Sequence, residues 1–204
     1  LGSGATSSIS RFVGAKNHKK ASQSAAHSLL IFLIASVVLT IVLLILQEPL
    51  LKLYGASGES LAQGIKYGTP LFLGLFAVIF ANGASCILRG EGDMERAMYA
   101  VVVSVILNAI LDPICIYILG WGSAGAAIAT ILSSICSAIV ILYWILVKKD
   151  TYVDVNLGEF KFDSSIAKDI LKVGIPASMD MLVMSIAMSL YMIFISSIAG
   201  EFGI

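Results

Sequence analysis

The chain has 204 residues, of which 58% are hydrophobic and only 13% charged, with a formal net charge of zero and a mean hydropathy of +0.96. Soluble domains carry about 25% charged residues, so this composition excludes an ordinary water-soluble fold and marks an all-α, polytopic transmembrane bundle whose first partner is the lipid bilayer. Nothing in the neutral balance suggests nucleic-acid binding, and no nucleic-acid partner is expected; the positions of the charges become the informative quantity.

Leu1-Gly-Ser-Gly-Ala-Thr-Ser-Ser-Ile-Ser10 reads as the small-residue end of a helix already under way, without an initiating Met, and Glu201-Phe-Gly-Ile204 stops just after an apolar run, so a fragment is expected. Arg11 to Lys20 is a short polar loop with four basic residues, Arg11, Lys16, Lys19 and Lys20, which the positive-inside rule places in the cytoplasm. Ala21 to Gln47 is predicted as a membrane helix ended by Glu48-Pro49, and Leu50 to Gln63 as an outer connection containing Gly55, Gly58 and Glu59. Tyr67 to Leu88 is the next span, entered through Gly68 and Pro70, with Gly74, Ala77, Ala81 and Ala84 forming a face of small residues for close helix approach. Leu88 to Met98 is a compact inner loop in which Gly90 and Gly92 suit a tight turn and Asp93 caps the following helix, with Glu91, Asp93 and Glu95 read as solvated charges.

Between Ala97 and Val147 the one formally charged side chain is Asp112, and the sole turn-like interruption is Gly120-Trp-Gly-Ser123. A span needs roughly 20 apolar residues to cross about 30 Å of hydrocarbon. Residues 97–119 and 123–147 both suffice, giving a transmembrane helical hairpin. Asn108 and Asp112 are four apart and share one helix face. Pro113 follows, and because proline has no N–H it deprives the Ala109 carbonyl of its usual partner and predicts a kink near the pair. Asp112 lies nine residues before Trp121 and Thr130 nine after it, so the two reach similar depth. Carboxylate, amide, hydroxyl and a freed carbonyl are hard oxygen ligands suited to Na+ or to a proton site. A carboxylate in the middle of a span costs about 2.5 to 3.5 kcal/mol and is a functional residue by default. The plainer alternative is that Asn108 and Asp112 hydrogen-bond a neighbouring helix as packing glue, with Thr130 bonding back to its own helix.

Lys148 to Ser165 is too polar to cross and is predicted as a cytoplasmic linker, followed by a last helix, Ile166 to Ala199, bent near its start by Gly174 and Pro176. Asp180 in that helix snorkels, caps a broken segment or belongs to a second polar site. Eleven of the thirteen Lys and Arg residues fall on the inner side assigned in this way, the loops Arg11–Lys20, Arg89–Arg96 and Lys148–Ser165 all being cytoplasmic. Cys86, Cys115 and Cys136 lie in apolar runs without metal-site spacing and are read as packing residues, and His18 and His27 as interfacial. No His–carboxylate cluster, nucleophile elbow or phosphate loop is present, so the sequence points away from an enzyme and implies no cofactor.

Leu88-Arg-Gly-Glu-Gly-Asp93, followed by Leu107-Asn-Ala-Ile-Leu-Asp-Pro113 and Gly125-Ala-Ala-Ile-Ala-Thr130, resembles the multidrug and toxic compound extrusion (MATE) family, as does Arg11-Phe-Val-Gly-Ala15. The resemblance covers essentially the whole chain. It implies a two-lobe, twelve-helix transporter of the cell membrane, with residues 1–148 the end of helix 2 and helices 3–6 of the amino-terminal lobe, 149–165 the inter-lobe linker and 166–204 the start of the carboxy-terminal lobe, helix 7. It further implies a coupling-cation site, for H+ or Na+, at Asn108, Asp112 and Thr130, with another Asp in the absent first helix. Some members carry a cation-binding Glu in the seventh helix, where this chain has Met184 with Asp180 one turn earlier. The expected activity is antiport of small, lipophilic and often cationic compounds by alternating access, with occupancy of Asp112 changing the packing or bend at Pro113. Phe72, Phe76, Phe80, Tyr99 and Tyr117 are candidate cavity aromatics. A lipid-linked oligosaccharide flippase of the same superfamily and a non-transporting scaffold are the competing readings, and the oligomeric state is left open.

Overall fold

The computed structural model describes residues 1–53, 57–148, 151–155 and 162–199. Gly55, Asp150, Glu159, Lys161 and the final Glu201–Ile204 stretch lie outside the described residues. Among the described residues the chain is helical without strands: α1 (Gly2–Gly14), α2 (His18–Leu53), α3 (Gly58–Glu91), α4 (Met94–Pro113), α5 (Gly122–Leu142) and α6 (Ser164–Ala199), with π-helical turns at Ile114–Ile118 and Tyr143–Lys148. Among the described residues, five stretches are long and apolar enough to cross a membrane: His18–Lys52, Gly68–Glu91, Met94–Ile118, Ala124–Lys148 and Ser164–Tyr191.

Proline does less to this backbone than its chemistry in water suggests. Pro49 lies inside α2, which runs on to Leu53, and Pro70 lies inside α3, which already starts at Gly58. The outer connection is therefore much shorter than the predicted 50–63. In hydrocarbon no water is available to replace a broken ladder, so continuing the helix past a proline is favoured over ending it.

Gln47 fastens the same region. It is almost fully buried, its Nε2 donates to the carbonyls of Gly64 (3.3 Å) and Ile65 (3.1 Å), and its Oε1 lies 3.3 Å from the Thr69 hydroxyl. A Cβ on Gly68 would stand 2.5 Å from Gln47 Nε2, so the glycine makes room for the amide. Gln47→Leu is expected to lower the stability of the full-length protein by about 1 to 2 kcal/mol, read as an earlier midpoint in a dodecyl-sulfate unfolding titration.

The small-residue face of α3 is used as predicted. Ala77, Ala81 and Ala84 are buried, Gly74 admits Ile131 of α5, and Gly83 lies against the ring of Phe32 in α2. At the basic end of the bundle Ala5 and Ile9 of α1, Ala25 and Phe32 of α2, Ile87 and Leu88 of α3, and Ile141 of α5 share one core with Ile145. Gly90 belongs to this packing and not to the turn: a Cβ there would meet Ile9 at 2.9 Å. The turn itself falls on Gly92, with φ 91°, and Asp93 caps α4 by accepting from the Arg96 N–H at 3.0 Å.

Two expectations change here. Glu91 is not a solvated charge: it is part-buried, and its Oε2 accepts the N–H of Val153 at 3.0 Å. Val153 and Val155 themselves sit in the core, so the start of the linker is fastened to the bundle. His27, expected at the interface, is 1% exposed. Its Nδ1 lies 2.7 Å from the Gln23 carbonyl, and its Nε2 accepts the N–H of Asp163 at 2.7 Å. His18 stacks on Tyr152 with centroids 3.9 Å apart. In the last helix, α6 is unbroken through Pro176. Gly174 serves a contact, a Cβ at Gly4 of α1 falling 2.8 Å from its N and 2.9 Å from its Cα.

Candidate cation site

The site is built where α4 and α5 turn back on each other. Gly120 and Gly122 both have positive φ, 67° and 56°, which lets two long helices meet through a few residues. Pro113 has no N–H to return to Ala109. Directly beyond it the bonding pattern widens, with the Leu119 N–H donating to the Ile114 carbonyl at 3.0 Å across five residues. The proline thus leads into a π-helical turn and does not end the span.

Gly125 sets the spacing of the pair. A Cβ there would lie 2.6 Å from the Cys115 carbonyl oxygen and 2.7 Å from its carbon, so α5 rests backbone to backbone on the π turn. From that contact Thr130 rises along α5 as Asn108 rises along α4, and the two side chains meet. Asn108 is the centre of the constellation. With Nδ2 donating to Asp112 Oδ2 at 3.2 Å, its Oδ1 lies 3.2 Å from Thr130 Oγ1 and 3.3 Å from the Thr130 N–H. The opposite amide orientation puts Nδ2 3.5 Å from Asp112 Oδ1 and 3.2 Å from Thr130 Oγ1. The first is the better arrangement, because it brings the donor closer to the carboxylate and uses the amide oxygen as an acceptor. The Thr130 hydroxyl also lies 3.0 Å from the Ala126 carbonyl, and Ser133 and Ser134 both donate to the Thr130 carbonyl.

Asn108, Asp112 and Thr130, singled out by charge and spacing, therefore form one connected group inside the helix hairpin, about 13 Å or more along the helices from its turn. Asp112 and Asn108 are half-buried and Thr130 is exposed. The group offers one carboxylate and two neutral oxygens. Among the described residues no cluster of three or more His, Cys, Asp or Glu side chains stands close enough for a metal ion. A single negative charge with neutral oxygen neighbours fits a proton or a monovalent cation better than a divalent one.

Asp180 stands apart, exposed on α6. Met184, one turn on, is 70% exposed. The aromatic side chains do not gather: Phe76 and Phe80 stack at 6.2 Å, whereas Tyr117 and Tyr99 are exposed. Sequence reasoning missed His27 and Glu91 as fastening points. Both contacts are made across long stretches of sequence, so local spacing carries no signal for them.

Comparison with known proteins gives the family. Residues 1–114 match the MatE family model. The chain is 30% identical over 177 residues to the multidrug export protein MepA of Staphylococcus aureus, an alignment that spans 87% of this chain and 39% of MepA. It is 44% identical to a multidrug resistance MATE family transporter of the MOP superfamily solved in an outward-facing conformation, with a TM-score of 0.89 over 98% of this chain and 44% of that one. The inward-facing conformation of such a transporter is matched at 46% identity with a TM-score of 0.83, over 92% of this chain and 42% of that one. The chain thus spans less than half the length of these relatives.

Proposed function

The chain belongs to the MatE family, and from that membership we propose that the whole protein is a secondary active exporter, exchanging H+ or Na+ for lipophilic, often cationic compounds across the cell membrane. The observation that carries the reading is the Asn108–Asp112–Thr130 group, in which Asn108 links two spans and sets its amide against Asp112, the only formally charged residue between Ala97 and Val147. Residues 1–148 form part of the amino-terminal lobe, 149–165 the linker and 166–204 the start of the second lobe. The basic loops Arg11–Lys20 and Arg89–Arg96 and the linker face the cytoplasm.

In this reading Asp112 holds the coupling ion. A carboxylate between apolar helices is costly alone and tolerable when protonated, paired or coordinated. Asn108 can serve either state: its amide donates to the charged carboxylate, or its oxygen joins Thr130 Oγ1 around a cation. Exchange between these arrangements rotates polar side chains at the α4–α5 contact, next to the π turn, and that repacking is how occupancy reaches the substrate path. Asp180 is a candidate member of a separate site in the second lobe.

The test uses the full-length protein in proteoliposomes, with efflux of a fluorescent lipophilic cation driven separately by a pH gradient and by a Na+ gradient. Efflux above that of empty vesicles under one gradient identifies the coupling ion. A well-folded protein that moves the dye under neither gradient, yet redistributes a labelled lipid-linked oligosaccharide, would replace this reading with the flippase.

A further inference from the structure

We infer that the crossing of α1 with the first half of α6 is a releasable inner seal between the two lobes, and that His27 is the fixed pivot about which α6 swings when the seal opens. The inference rests on the two-lobe reading above and adds the parts that move.

The two ends of the segment that enters α6 are held differently. Val153 and Val155 are core residues of the first bundle. The strand of linker they belong to is fastened by three acceptors on backbone N–H groups: Glu91 Oε2 on Val153 at 3.0 Å, Ser22 Oγ on Asp154 at 3.0 Å and His27 Nε2 on Asp163 at 2.7 Å. Tyr152 adds its stack on His18. His27 is itself locked, since its Nδ1 lies 2.7 Å from the Gln23 carbonyl and Phe162 packs 5.4 Å from its ring. Asp163 caps the helix it opens, its Oδ1 accepting from the Ser165 N–H at 2.8 Å. The last point gripped by the first bundle is thus the cap residue of α6.

Beyond Asp163 the contact changes character. Ile166, Ala167 and Ile170 are buried, but none is part of the main core. They lie on α6 where it packs against α1 and, less extensively, α2. At the centre of the α1 face Gly4 approaches Gly174 with no room for a Cβ, and at its rim Arg11 pairs with Asp169 at 2.5 Å, both side chains about half exposed. A glycine crossing lets two helices seat closely without interlocking side chains, and a half-exposed ion pair contributes about 1 kcal/mol or less. Such a face seats closely while the Arg11–Asp169 pair adds little to hold it shut. α1 cannot follow α6, because Thr6 donates to the Cys86 carbonyl at 3.0 Å and Ser24 donates to Ser8 at 2.9 Å, binding it to α3 and α2.

The experiment places spin labels in full-length protein in lipid nanodiscs, on a background without other reactive cysteines. One pair, Ser10→Cys with Lys168→Cys, reports the seal; another, Lys20→Cys with Asp154→Cys, reports the strap. Across acidic and alkaline pH, Na+ and a saturating lipophilic cation, the seal pair is expected to show a second, longer distance while the strap pair keeps one. His27→Phe is expected to broaden the seal distances and remove their dependence on conditions, with His27→Gln, which retains an acceptor, restoring it. A seal pair with one unmoving distance in all conditions, or a strap pair that shifts with it, overturns the inference. Dye efflux with a frozen seal rejects only the inference, and a moving seal without gradient-driven efflux rejects only the coupled-export reading.

Discussion

Asp112→Asn is expected to abolish gradient-driven efflux while leaving the protein inserted and folded. The substitution keeps the volume and a hydrogen-bonding head next to Asn108, which lies 3.2 Å away in the better amide orientation, but removes the group that changes charge. Replacing a half-buried carboxylate inside a span by its amide also removes part of a desolvation cost that reaches about 2.5 to 3.5 kcal/mol at the centre of a helix in the bilayer, so stability should be equal or higher. A pure packing role predicts the reverse, a less stable protein with transport intact. The decisive measurement pairs the proteoliposome efflux rate with the unfolding midpoint of the same sample. Transport at the wild-type rate in a stable variant would remove Asp112 from the coupling mechanism.

Gly125→Leu is expected to be as damaging to transport by a different route. Even a single Cβ would sit 2.6 Å from the Cys115 carbonyl, and a full side chain must part α5 from the π turn, with overpacking costs of about 1 to 3 kcal/mol. Because Thr130 reaches Asn108 only through that seating, the parting takes one oxygen away from the group. The check is the labelling of Asp112 by a hydrophobic carbodiimide. Protection by the coupling ion should be present in the wild type, weakened in Gly125→Ala and absent in Gly125→Leu. Protection retained in a folded Gly125→Leu protein would show that the backbone contact does not build the site.

The hairpin and its polar group were legible in the sequence because both are local. One charge in a long apolar stretch isolates Asp112, the i, i+4 spacing puts Asn108 beside it, and counting residues from a glycine turn finds Thr130. The spans themselves were legible for the same reason. The helix ends were not, because the rule that proline stops a helix is learned where water can satisfy the freed carbonyl, and at Pro49 and Pro70 the chain stays helical. The fastening of the linker was also out of reach. His27 meets Asp163 across 136 residues and Glu91 meets Val153 across 62. Nothing in local spacing distinguishes a histidine at a lipid headgroup from one that grips a distant backbone.

The π turn at Ile114–Ile118 carries one more residue per turn than the helices on either side of it. In an α-helix each residue advances the azimuth by about 100°, so this surplus residue acts as a phase correction between the Gly120 reversal and Asp112. Deleting a single residue here would leave an acceptable apolar helix of sufficient length, yet rotate Asn108 and Asp112 off the line that meets Thr130. The constraint at this point is therefore on the number of residues, not their kind: the stretch tolerates exchange among aliphatic side chains but neither insertion nor deletion. In a family member whose alignment gains or loses one position between Pro113 and Gly120, the polar group must be sought on another helix face.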